Sequence, residues 1–90
     1  MKEINIGIQL YSVRDEIKNF GVDTVFATLR DCGCNTVEFA GFYGLAPEEM
    51  KAKLEKYSLR PLAAHIRVDD IEENLPYIDK LGIKKVYIPG

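Results

Sequence analysis

Two spacings of apolar residues alternate along the chain. Ile4, Ile6, Ile8 and Leu10 alternate with Asn5, Gly7, Gln9 and Tyr11. That period of two in branched residues predicts a strand over 4–11. Residues 15–21 are polar and predict a loop or a short helical turn broken at Gly21. Val22, Val25, Phe26 and Leu29 then recur at i, i+3, i+4 and i+7, which predicts an amphipathic helix over 22–32, with Gly33 at its left-handed end. Thr36, Val37 and Phe39 predict a second strand over 35–40, and Gly41 and Gly44 mark the loop after it. Pro47 suits a first helical turn, and Glu48 and Glu49 follow where the helix dipole favours anions. With Met50, Leu54 and Tyr57 on one face, the helix runs over 47–58.

A third strand is expected over 61–66, from Pro61 to Ile66. Asp69 and Glu72 have the spacing of a capping box, and Ile71, Leu75, Ile78 and Leu81 recur at helical intervals. Pro76 interrupts that run, because an interior proline loses a hydrogen bond and crowds the preceding turn. The expectation is therefore a turn near 69–73 and a separate helix over 74–81, capped by Gly82. Lys85 to Pro89 predicts strand four, over 85–89.

The order is β-α-β-α-β-α-β, with no linker and no low-complexity tract, so residues 1–90 read as one domain. Long crossovers join parallel strands, and the amphipathic helices cover them. Such a chain builds an open doubly wound sheet or the first half of a (β/α)8 barrel. The turn after strand one reads Gln9-Leu10-Tyr11-Ser12-Val13-Arg14, with none of the glycines of a dinucleotide fingerprint. A phosphate loop is absent too. Strand phase favours the barrel. If Ile6, Ile8, Val37, Phe39, Leu62, Ile66, Val86 and Ile88 point to the helices, the other face carries Gln9, Tyr11, Glu38, His65, Arg67 and Tyr87. Polar groups then collect late on the strands, where barrel active sites lie. The fold class is α/β, a parallel β-α-β-α-β-α-β unit forming the first half of a (β/α)8 TIM barrel.

Composition narrows the function. The 90 residues are 47% hydrophobic, enough for a core, and 12 Lys+Arg against 14 Asp+Glu leave a net charge of −2. That balance argues against a nucleic-acid partner. No apolar run is long enough for a membrane span. Lys2 and Glu3 lead into a strand without a signal-peptide core, so a cytoplasmic location is expected. Cys32 and Cys34 are spaced as neither a zinc pair nor a disulfide, and read as two reduced thiols. Lys51, Lys53 and Lys56 read as the solvated face of their helix. Arg14 and Arg67 could meet a phosphate but read first as surface charges.

The blocks Ile6-Gly7-Ile8-Gln9-Leu10-Tyr11-Ser12-Val13-Arg14-Asp15, Val37-Glu38-Phe39-Ala40-Gly41 with Tyr43-Gly44, Ala63-Ala64-His65, and Leu81-Gly82 with Val86-Tyr87-Ile88-Pro89-Gly90 occur in this order. Together they resemble the N-terminal half of the sugar phosphate isomerase/epimerase family, the xylose-isomerase-like barrels. The resemblance implies proton transfer next to a sugar carbonyl in a full barrel of about 250 residues. It implies a sugar or sugar phosphate substrate and a divalent metal (Mn, Mg, Co or Zn) held by Glu, Asp, His and Glu on later strands. This chain does not reach those strands, so no metal is expected for it alone. Glu38 and His65 match family positions at the site rim and are the expected catalytic pair. Gln9 and Tyr11 are substrate-binding candidates. A bland reading stands beside each: Glu38 as a solvated carboxylate, His65 as a hydrogen-bonded packing residue.

Two rival functions follow. A half-barrel bares two sheet edges, which invite pairing. The chain could thus be an inactive piece that self-associates as a homo-oligomer, an assembly unit or a truncated product. An apurinic-site endonuclease-like barrel is the other, made poor by the near-neutral charge and the single histidine.

Overall fold

The computed structural model describes residues 6–88. Four strands, β1 (Gly7–Gln9), β2 (Thr36–Phe39), β3 (Arg60–His65) and β4 (Lys85–Tyr87), form one parallel sheet in the order β1-β2-β3-β4. Helices α2 (Val22–Asp31), α3 (Pro47–Lys56) and α4 (Ile71–Leu81) are the three crossovers, and a further helix, α1 (Arg14–Phe20), precedes α2. Sequential order with a helix in every crossover is the topology of the first half of a (β/α)8 barrel.

Alternation sorts the strand residues onto two faces. Val37, Phe39, Ala64 and Ile66 are buried with Phe26, Leu29, Met50, Leu54 and Leu81 from the helices, and this layer is the core. The Phe26 ring meets Tyr57 edge-on at 6.3 Å, and Asp23 on α2 pairs with Lys53 on α3 at 2.5 Å. Between α3 and α4, Tyr77 stacks on Phe42 at 4.2 Å and donates its hydroxyl to the Leu45 carbonyl. On the other face, Gly7 lies opposite Thr36, which is buried although polar. A Cβ at Gly7 would sit 2.1 Å from Thr36 Oγ1, so the missing side chain is what lets the two strands pair here.

Several expectations need correction. Strand one, expected over 4–11, ends at Gln9 within the described residues; Ile4 and Asn5 lie outside them, as does Pro89 of strand four. Leu10–Val13 is a 3-10 turn. Its repeat of three sends both Leu10 and Val13 toward the core, while Tyr11 stays half-exposed, which mimics continued alternation in the sequence. The polar stretch that follows forms α1, anchored by the buried Ile17.

Helix α4 is unbroken through Pro76. Pro76 and Glu72 are both exposed, so water satisfies the carbonyl that the proline leaves unpaired. The capping box at Asp69 and Glu72 does not form: Asp69 lies in the 3-10 turn Val68–Asp70, Asp70 is the residue that precedes α4, and Asn74 donates to the Asp70 carbonyl at 2.8 Å. Leu62 does not reach the helices either. The register steps from Val37–Pro61 to Glu38–Ala63, passing over Leu62, which is left 46% exposed. Ile6 and Ile88 are half-exposed as well, for they lie beyond the paired ends of the two edge strands.

Candidate functional site

Register carries three of the expected residues to one place. Gln9 ends β1 directly beside Glu38 of β2, Glu38 lies beside Ala63, and His65 follows two residues later on the same face at the end of β3. The three side chains meet at the carboxyl end of the sheet. Glu38 Oε1 is 2.9 Å from His65 Nε2, and Gln9 Nε2 is 2.9 Å from the same ring nitrogen. About a third of each of the Glu38 and His65 side chains is open to solvent. Beneath them Thr36 and Ala63 are buried, which gives the cluster a packed floor.

Tyr87 completes the group. It pairs with His65 across β3 and β4, and its ring stacks on the imidazole at 5.0 Å and 25°. Its place on the polar face was legible from strand phase, but no motif singled it out. Tyr11 is not brought in. It sits in the 3-10 turn with the Arg14 guanidinium 3.9 Å above its ring, and Arg14 also donates to the Tyr11 carbonyl.

One ring nitrogen cannot accept from Gln9 and donate to Glu38 at once. The contacts are reconciled when Nε2–H donates to the Glu38 carboxylate and the Gln9 amide turns its oxygen toward the ring. The cluster then offers an incoming hydroxyl both a donor and an acceptor, over an aromatic face.

Beside His65, a cleft of about 130 Å³ is lined by Phe42, Arg67, Asp70 and Asn74. That is well short of the roughly 300–1,000 Å³ of a small-molecule pocket. A larger hollow of about 460 Å³ lies at the opposite end of the sheet, between Arg30, Asn35, Ser58 and Arg60, away from the cluster. In the loop after β2, Tyr43 adopts a left-handed backbone (φ 57°), and its buried hydroxyl finds no hydrogen-bond partner among the described residues. Burial pushes that phenol up to about 12.

Among the described residues, no three His, Cys, Asp or Glu side chains are grouped to hold a metal ion. The four-ligand set implied by the family resemblance is placed on later strands, and the described residues do not assemble one. No described helix is long and apolar enough to cross a membrane. No protein-family model and no curated protein matches the chain.

Proposed function

We propose that this chain is a (β/α)4 assembly unit that completes an eight-stranded barrel by associating with a second copy, and is not a catalyst by itself. The observation that carries the reading is that seven of the eight exposed large apolar residues described lie about the two sheet edges, Leu62 on β3 being the eighth. Within the described sheet, β1 and β4 each pair on one side only. Ile6, Tyr11 and Phe20 are exposed on the β1 side, and Val68, Leu75, Tyr87 and Ile88 with β4 and the helix leading to it. Open strand edges flanked by apolar side chains are sites of pairing. Sedimentation of the 90-residue chain tests the reading: a two-chain species at micromolar concentration supports it, and a monomer at every concentration refutes it.

The Gln9–Glu38–His65 cluster favours a second reading, a sugar isomerase- or epimerase-like scaffold. In the closed barrel, Glu38 and His65 would hold substrate hydroxyls and pass a proton between them, with Gln9 fixing the ring. Tyr87 would supply an apolar face to the sugar. Titration with pentose and hexose phosphates, followed by the His65 ring resonances, tests this. Shifts that vanish in Glu38→Gln support the reading. Unmoved resonances in a folded dimer refute it.

A further inference from the structure

We infer that in the two-copy barrel β1 of each chain pairs with β4 of the other, with α1 covering the seam and Phe20 packed against the Leu75 flank of the second copy's α4. This rests on the two-copy reading above and specifies how the copies meet.

Four strands in the order β1-β2-β3-β4, all parallel, close into a ring of eight parallel strands only if β1 meets β4 of the second copy at both seams. Pairing β1 with β1 about a two-fold axis makes that contact antiparallel and leaves both β4 edges bare.

Each gap between neighbouring strands of a barrel is covered by a helix. Among the described residues, α2, α3 and α4 suffice for the three gaps within one chain, and the β1–β2 crossover carries a second helix, α1.

On α2, Phe26 and Asp23 face α3 through Tyr57 and Lys53. Thr24 and Thr28 stand two residues either side of Phe26, about 160° around the helix. They line a mostly apolar groove of about 260 Å³ with Val13, Glu16, Phe20, Val25 and Leu29. The groove thus opens on the flank of α2 away from α3, the side of the free β1 edge. Phe20 stands in it 66% exposed. At the other end of the molecule, Tyr77 turns toward α3 through Leu45 and Phe42, and Leu75 projects about 160° away, 50% exposed. Each free flank carries an exposed apolar side chain, Phe20 on one and Leu75 on the other, and the ring closure brings one to the other.

Seven exposed side chains, each baring about half of a surface of roughly 200 Å², supply about 700 Å² per copy. A standard stable interface takes about 800 Å² per partner, so the side chains supply most of it and the paired strand edges must add the rest.

The test is cross-linking in a Cys32→Ser/Cys34→Ser background. Chains carrying Phe20→Cys and chains carrying Leu75→Cys are mixed, re-equilibrated and treated with a short bismaleimide. The expected result is a cross-linked dimer in the mixture and none in either chain alone. A second pair, Thr24→Cys with Leu75→Cys, repeats the test at an exposed position of α2. Phe20→Glu is expected to weaken the dimer at least about tenfold while leaving the circular dichroism unchanged. Self-linking of Phe20→Cys, or a dimer linked by neither mixed pair, overturns this pairing and leaves the two-copy reading standing. A chain that is monomeric throughout overturns both.

Discussion

Replacing Gly7 by alanine places a Cβ 2.1 Å from Thr36 Oγ1, 3.1 Å from the Thr36 carbonyl oxygen and 3.3 Å from Thr36 Cβ. The first distance is impossible, and Thr36 is buried in the floor beneath the polar cluster, so its side chain has little room to retreat. Overpacking of this kind costs about 1–3 kcal/mol. In a domain of this size each kcal/mol lowers Tm by about 4–8 °C. Thr36→Ala alone is expected to cost about 1 kcal/mol, as an ordinary buried truncation. Combining the two removes the clashing hydroxyl and leaves only the tight 3.1 and 3.3 Å contacts. The double variant should therefore be more stable than the sum of the single effects by about 1 kcal/mol or more. Urea unfolding of the four proteins, compared at a common m-value, measures this coupling. A Gly7→Ala chain as stable as the parent, or a strictly additive double variant, would refute the claim that the missing side chain admits Thr36.

Three further outcomes follow from single contacts. Tyr43→Phe removes a buried hydroxyl without a partner among the described residues and should stabilise the fold by up to about 1 kcal/mol; in the parent, one of the five tyrosines should ionise near pH 12 in ultraviolet titration, and the corresponding stability is present below pH 10 and lost as pH rises toward 12. The hydrogen bond between Asp23 and Lys53 holds the Asp23 carboxyl below its usual 3.8 and the Lys53 ammonium above its usual 10.5. The aspartate's contribution is present above pH 3.8 and lost as pH falls through its depressed value, and the lysine's is present below 10.5 and lost as pH rises through its raised value. Lys53→Met should flatten both limbs of the Tm–pH curve. Pro76→Ala restores the N–H that α4 lacks toward Glu72 and should raise stability by about 1–3 kcal/mol in thermal unfolding, whereas a loss would mean that the proline is not a defect of the helix.

Periodicity made the element order legible, because Val22-Val25-Phe26-Leu29 and the strand residues Val37 and Phe39 serve a single core. It failed where a different geometry imitates the same spacing. The 3-10 turn at Leu10–Val13 buries Leu10 and exposes Tyr11, as a strand would, and so drew Tyr11 into the expected site. Leu62 was misplaced because a register shift is a relation between two strands, invisible within either. Pro76 was overweighted because its cost depends on whether water reaches the Glu72 carbonyl, a matter of tertiary exposure. Gln9, Glu38 and His65 could be assembled from strand phase alone, since parallel register carries equivalent positions to one end of a sheet. Their sharing of a single ring nitrogen could not, because contact at that scale depends on strand stagger and rotamer.

Sedimentation equilibrium of the 90-residue chain across micromolar to millimolar concentration tests the central claim most directly. A reversible two-chain species is expected, twice the 10.2 kDa of one chain, growing with concentration and shifted at least about tenfold to higher concentration in Phe20→Glu. A single 10.2 kDa species over the whole range would contradict it.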